Sequence, residues 1–380
     1  MRILYTITKA EMGGGQVHVL DLLRGFHNQH ELHLATGEEE FLTSEARKLG
    51  VRCHILPDLI HETNPRRDAR AVAQMTRLVR GLRPDLVHSH TTKAGLVARA
   101  AAAACRVPSV FTAHSWAFSD GVSMAWKLMG VPTEWVAARI SDRIINVSEA
   151  NRNLALRYRL GPARRLVTVH NGIPQTGCIA QPGNTETPEI VMVARFAAQK
   201  HHELILEAFA GIVMPSLLTF IGNGPRMEEM KALAARLGVA GRVRFLGERS
   251  DVAELLAKAH VFALASHWEG FPLSILEGMR AGLPVVTTDA GGSAEAVLHG
   301  STGYVVRKAD TGGFRAALEN LCRNSQLRAL MGEAGRTRFM NHFSLEQMLR
   351  KTSALYEEVW RERGRMHHSP QPQVERVGTL

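Results

Sequence analysis

At 380 residues, with 45% hydrophobic and 22% charged side chains, the chain exceeds one comfortable core and suits a globular protein of two domains. No apolar run nears the roughly 20 residues that a membrane-spanning helix requires; the alanine-rich stretch 94–104 comes closest, interrupted by Arg99 and closed by Arg106. Four cysteines without Cys-x-x-Cys spacing (Cys53, Cys105, Cys178 and Cys322) argue against a zinc site and against a disulfide framework, so no metal or resident cofactor is expected.

The first apolar run, Ile3–Ile7, is strand-like and lacks the features of a signal peptide, which predicts a cytoplasmic protein. Strand patterns follow at 31–36, 51–56, 85–88, 108–113, 143–147 and 166–170, separated by helical stretches. That alternation is the mark of a parallel α/β sheet. Residues 173–189, with three prolines, two glycines and no periodicity, read as a linker between a first domain, 1–172, and a second, 190–343. The second domain has its own strand patterns near 190–194, 217–221, 243–246, 261–265 and 284–288. Two Rossmann-like sheets facing across a cleft place a ligand at the carboxyl ends of their strands.

The net charge of +10 is concentrated in residues 61–106, where nine Lys or Arg face only Glu62, Asp68 and Asp85. Arginines recur at helical spacing in 66–83, giving either a solvated helix face or a basic face for an anionic membrane surface. Nucleic acid is not an expected partner, because no binding motif accompanies the charge.

Several motifs carry chemistry. Gly13-Gly14-Gly15 opens a helix after the first strand, where backbone amides can approach a diphosphate or a sugar. Three contiguous glycines with no acidic end to the second strand do not make a NAD fingerprint. Arg195 and Lys200 follow the first strand of the second domain, and two fixed cations there suit a departing diphosphate without a metal ion. No Asp-x-Asp occurs in the chain. Gly222-Asn223-Gly224-Pro225 is a tight turn whose backbone is expected against the nucleotide. In Glu269-Gly270-Phe271-Pro272-Leu273, Pro272 suits a first helical turn, and Glu277 falls between one and two turns further on. The amides of Phe271, Leu273 and Ser274 then point at an anion, with a carboxylate on either side for sugar hydroxyls and a ribose diol. His88 and His90 lie two apart on a strand with no third ligand evident, one lining the acceptor side and the other packing. Glu134 reads as a residue preceding the helix that reaches Ile140, outside the site.

Seven of these segments occur in one order over residues 1–345: Gly13-Gly14-Gly15-Gln16, Thr112-Ala113-His114, Val147-Ser148-Glu149, His170-Asn171-Gly172-Ile173, Ala194-Arg195-Phe196 with Lys200, Gly222-Asn223-Gly224-Pro225, and Glu269-Gly270-Phe271-Pro272-Leu273 with Glu277-Gly278-Met279. Together they resemble the retaining glycosyltransferases of family 4, which have the GT-B fold. The resemblance implies a nucleotide-sugar donor, UDP-linked by preference, and a glycan or lipid-linked acceptor of the kind used in capsule, exopolysaccharide or O-antigen synthesis. It implies that a final helix, 344–363, crosses back onto the first domain, leaving 364–380 as a disordered tail. It makes His114 a partner of the donor sugar, sets Glu269 beside sugar hydroxyls and Glu277 on ribose, and makes Gly247-Glu248-Arg249 the nucleobase loop. Where the family commonly has glycine after the lysine, His201 stands here. The aromatic and apolar residues 116–118 and 124–129 beside His114 suit a lipid acceptor or an ordinary packed loop. A sugar-nucleotide epimerase needs acid and base carboxylates in the first domain, where no clear pair occurs. A catalytically silent binding subunit is the other alternative, opposed by the intact Arg195, Lys200, Glu269 and Glu277.

Overall fold

The structure is a computed structural model that describes residues 1–119, 121–122 and 124–367; the side chains of 125, 126, 129 and 364–367 are also outside the description. Seven strands build the first sheet: β1 (Arg2–Thr6), β2 (Glu31–Thr36), β3 (Arg52–Ile55), β4 (Leu86–His90), β5 (Ser109–Ala113), β6 (Arg143–Asn146) and β7 (Leu166–Thr168). Their order is β3-β2-β1-β4-β5-β6-β7, with every pairing parallel. Six more build the second: β8 (Glu189–Val193), β9 (Leu217–Ile221), β10 (Val243–Phe245), β11 (Val261–Leu264), β12 (Val285–Thr288) and β13 (Gly303–Val306), in the order β10-β9-β8-β11-β12-β13. The central strands β4, β5, β11 and β12 are buried at every residue, as helices on both faces of a parallel sheet require.

All the strands expected from sequence are present. β13 was missed, because four residues that are half-buried at the centre carry no periodic signal. Pro272 is the residue before the helix Leu273–Arg280 rather than a member of its first turn.

The last helix, Leu345–His367, returns to the first sheet, where Met348, Leu355, Tyr356 and Val359 enter the core built on β1 and β2. Arg143 bonds Glu358 and Glu362 at 2.7 Å each, and Arg363 bonds Asp142 at 2.8 Å. Residues 364–367 are helical rather than part of a tail, and 368–380 lie outside the described residues.

Helix Pro65–Leu82 starts with Pro65 in its first turn and the Asn64 side chain accepting from the Arg67 amide, and it buries Ala71, Met75 and Val79. Its arginines do not all form a free basic face. Arg67 and Arg70 pair with Asp58, and Lys93 with Asp68. Arg99 is fully buried against Glu134 at 2.9 Å. Glu134 therefore sits inside a helix, Met124–Arg139, rather than ahead of one. Arg66, Arg77, Arg80 and Arg83 remain exposed and without an ion pair among the described residues.

Candidate functional site

Each sheet changes strand direction of travel at one point: between β1 and β4 in the first, and between β8 and β11 in the second. The loops leaving adjacent strands at such a point diverge and open a crevice at the carboxyl ends. Of the segments singled out from sequence, Gly13-Gly14-Gly15 follows β1, Arg195 and Lys200 follow β8 and Glu269 follows β11, while His114, Gly222-Asn223-Gly224 and Gly247-Glu248-Arg249 follow the flanking strands β5, β9 and β10.

In the second sheet, the loop after β8 and the loop after β11 are stitched together. Lys200 and Ser266 form an isolated antiparallel bridge, the His267 amide donates to Gln199 O at 2.9 Å, and Gln199 Nε2 donates to Trp268 O at 2.8 Å. Lys200 Nζ makes a direct ion pair with Glu269 Oε1, which also accepts from Ser266 Oγ at 2.6 Å. The side chain of Glu269 is 7% exposed and that of Lys200 16%, so this is a sheltered, oriented pair rather than a surface contact. Arg195 is exposed nearby, with no ion pair among the described residues.

Gly222 and Gly224 adopt φ of +136° and +155°. A Cβ on Gly222 would lie 2.1 Å from Ala194 O, and one on Gly224 2.5 Å from Phe196 O. These glycines, with Asn223 O accepting from the Phe196 amide at 2.9 Å, press against the chain that carries Arg195. The first demand for glycine there is protein packing, where the sequence reading expected nucleotide. Gly222 N also donates to Gly247 O at 2.7 Å, tying in the loop after β10. On that loop Glu248 and Arg249 are exposed, and Arg249 is held by Asp251 through bonds of 2.8 and 2.6 Å.

In the first sheet, the helix Gly14–Phe26 follows β1, and no side chain caps its start. Gly14 faces open space, whereas a Cβ on Gly15 would contact the His114 ring at 3.7 Å. His114 follows β5, and its Nε2 is hydrogen-bonded at 3.2 Å to His90 Nδ1 at the end of β4. His18, one turn into the glycine helix, meets the His114 ring edge-on at 4.8 Å. Burial holds all these imidazoles below their ordinary range: His114 down to about 4, His18 and His90 well below it. His88 is the packing member of its pair, bonded to Tyr356 at 2.5 Å and to Thr112 at 2.8 Å.

The two halves touch at Gly270. A Cβ there would fall 1.7 Å from His114 O, so only glycine lets the Glu269 loop rest on the end of β5. Phe271 is buried against His170 and Phe343, and Asn171 Nδ2 donates to Phe271 O at 2.8 Å. Pro272 is buried and Leu273 half-buried in the same seam. The first amides of helix Leu273–Arg280 have no acceptor within the helix. Glu277 lies inside helix Leu273–Arg280 and is half-buried. Burial raises its carboxyl, Arg280 opposes the rise and Asp21 adds to it. Burial likewise pushes Asp21 up to about 6, against Arg24 and Arg280.

Sequence reasoning missed Glu295. From the second domain it accepts the amides of Glu149 and Ala150 at 2.8 and 2.6 Å, capping a first-domain helix, Glu149–Arg157, and it bonds His170 Nε2 at 2.9 Å. Gly291 and Gly292 permit this docking: a Cβ on Gly292 would lie 1.9 Å from Gly270 O. The Gly-Gly pair was the available signal. His18 was also missed, although its position three residues after Gly15 puts it on the same helix face.

The profile for Glycosyltransferase Family 4 matches residues 12–176, and that for Glycosyl transferases group 1 matches 179–338. An Escherichia coli UDP-Gal:alpha-D-GlcNAc-diphosphoundecaprenol alpha-1,3-galactosyltransferase is 25% identical over 80% of this chain and 84% of its own. A glycogen synthase of Mycobacterium tuberculosis is 30% identical over 78% of this chain and 73% of its own. The solved structure of Anabaena Alr3699/HepE in complex with UDP and glucose matches with a TM-score of 0.78 at 19% identity, covering 94% of this chain and 100% of that one. Two parallel-sheet domains meeting at a cleft are the GT-B architecture, and the molecule is a glycosyltransferase. The chain belongs to glycosyltransferase family 4. Among the described residues no helix is long and apolar enough to cross a membrane.

Proposed function

We propose that this glycosyltransferase moves a hexosyl or N-acetylhexosaminyl unit from a UDP-sugar to a hydroxyl of a lipid-linked glycan, with retention and without a metal ion. The observation that carries this reading is the sheltered Lys200–Glu269 pair, packed through Gly270 onto His114. The Escherichia coli relative, named for UDP-Gal and a diphosphoundecaprenol acceptor, and the UDP and glucose of the HepE complex support the donor and acceptor classes.

In this reading residues 1–172 hold the acceptor, 190–343 hold the donor, 173–189 link them, and 344–363 cross back. The UDP diphosphate lies between the starts of helices Gly14–Phe26 and Leu273–Arg280, with Arg195 and Lys200 beside it. Glu277 takes the ribose, Glu269 the sugar hydroxyls, and the backbone of 247–249 the base. An acceptor hydroxyl attacks C1 on the face the diphosphate leaves. The C1–O bond breaks with its electron pair passing to phosphate oxygen, which takes the acceptor's proton, leaving glycoside and UDP. Glu269 is committed to Lys200 and Ser266, which disfavours it as a nucleophile. Charge growing on the diphosphate meets fixed cations and helix dipoles that need no reorganisation.

A cytoplasmic-face location suits a lipid-linked acceptor. Met124 and Leu128 are 69% and 70% exposed, and Trp135 and Val136 are also exposed, on one first-domain helix. With Arg66, Arg77, Arg80 and Arg83 they supply apolar and basic groups for an anionic membrane surface.

The test is thermal shift in EDTA with UDP, GDP and ADP, followed by transfer from the stabilising donor to a polyprenyl-diphosphate glycan, with the anomeric configuration of the product read by NMR. A UDP shift and an α-product from an α-donor are expected. No nucleotide shift sinks the site, and an inverted product sinks the mechanism.

A further inference from the structure

Beyond donor binding, the first-domain wall of the cleft has an arrangement that transfer chemistry alone does not require. His18, His90 and His114 each offer one ring nitrogen, and these three atoms lie within 4.8 Å of one another. They come from three separate points in the chain. Strands β1, β4 and β5 are adjacent, so the residues following β1 and β5 and ending β4 are delivered to one place.

We propose that His18, His90 and His114 form a binding site for a divalent transition ion of the Zn2+ class, and that the ion inhibits transfer by taking the ring of His114. Three features support it. The closest nitrogens, His90 Nδ1 and His114 Nε2, are 3.2 Å apart. Zinc–imidazole bonds of about 2.0–2.1 Å in tetrahedral geometry put ligand nitrogens about 3.3–3.4 Å apart, so that pair is already spaced for one ion. His18, within 4.8 Å of the others, has to turn about its side-chain bonds to complete the site.

Second, His18 Nδ1 is buried without any hydrogen-bond partner, in a residue that is 5% exposed. An unpaired polar atom at such depth calls for an occupant. Third, imidazole is a favoured ligand for zinc, copper and nickel, and an ion would replace the proton now shared between His90 Nδ1 and His114 Nε2. His88 is excluded as a ligand because both its nitrogens are engaged by Tyr356 and Thr112. His114 is the least buried of the three, which leaves the fourth coordination position toward the cleft.

Metal binding stands independently of the donor reading; only the inhibition rests on it. The experiment uses the full chain stripped with chelator, titrated with Co2+ and then Zn2+. One equivalent of Co2+ should give the visible absorption of a nitrogen-ligated ion in a site of low coordination number, and Zn2+ should erase it. His18→Asn and His90→Asn should each weaken binding at least tenfold, while His61→Asn, an exposed histidine elsewhere, should not. Absence of the band, or its survival in both cluster variants, overturns the site. Should those variants misfold, anomalous scattering at the zinc edge from wild-type crystals decides: a peak among the three rings supports the site, and a peak elsewhere or none refutes it. With the ion bound, UDP-glucose affinity should fall at least tenfold and UDP affinity should hold. Unchanged UDP-glucose affinity overturns the inhibition. A metal-free UDP shift without any metal binding defeats this proposal alone, and metal binding without a UDP shift defeats the donor reading alone.

Discussion

The two walls of the cleft are built on the same strand plan and have opposite electrostatics. The first-sheet wall has His90 ending β4, His114 just after β5 and His18 beside them, buried or half-buried imidazoles held below their ordinary pKa range by burial. The second-sheet wall ends β8 and β11 in Arg195, Lys200 and Glu269, all ionised types, with Glu277 one helix further on. A parallel sheet thus supplies a place at its switch point without dictating the chemistry put there. Burial of imidazoles away from any carboxylate partner pushes one wall toward the uncharged form, whereas a sheltered ion pair with a hydroxyl donor keeps the other charged. A nucleotide-sugar has the same division, a neutral polar sugar and an anionic diphosphate.

Breaking the charged wall should have the largest effect. Lys200→Ala removes one of the two cations that the proposed mechanism sets beside the departing phosphate, and leaves Glu269 without its ion pair. Turnover should fall about 10²–10³-fold with a smaller change in donor KM. Steady-state kinetics on the UDP-sugar check this, and a variant with unchanged kcat would detach the pair from catalysis. Glu277→Ala comes next. Losing the hydrogen bonds that the proposed donor site gives Glu277 with ribose should weaken UDP about ten- to a hundredfold, measured by calorimetry, with turnover at saturation less affected.

The seam between the walls is held more modestly by Glu295. Burial raises its carboxyl, but the His170 bond and the Ala150 and Glu149 amides outweigh that, and the net shift is downward. A carboxylate with a lowered folded pKa contributes stability that is present above its unfolded value. That contribution is lost as pH falls through the folded value. Glu295→Gln should therefore cost about 1–2 kcal/mol at neutral pH and flatten the acid limb of a Tm-against-pH profile. An identical acid limb in the variant would assign that stability elsewhere. Smallest of all, Arg249→Ala should change nucleotide affinity less than about twofold. Its guanidinium is already held by Asp251, and salt bridges exposed to this degree contribute little. A large loss would show that the guanidinium leaves Asp251 for the nucleotide.

Much of this was legible in the sequence because it is local. Twelve of the thirteen strands announce themselves as short apolar runs. Asn64-Pro65 starts a helix by its own capping chemistry, and the Gly-rich turns mark strand ends. The order of motifs along the chain, with Arg195, Lys200, Glu269 and Glu277 in it, identifies the family. What the sequence read less well was the reason for some residues: Gly222 and Gly224 serve the packing of Ala194 and Phe196, and Arg99 belongs to a buried pair with Glu134.

Only the tertiary structure decided which distant residues meet. His18, His90 and His114 converge because β1, β4 and β5 are neighbours, an ordering set by the packing of whole layers rather than by any local pattern. Glu295 reaches the helix start at Glu149 because two glycines let backbones approach to distances that no Cβ survives. Local propensity acts over a few residues, and the cleft is made from contacts separated by 24 residues at His90–His114, 69 at Lys200–Glu269 and 146 at Glu149–Glu295.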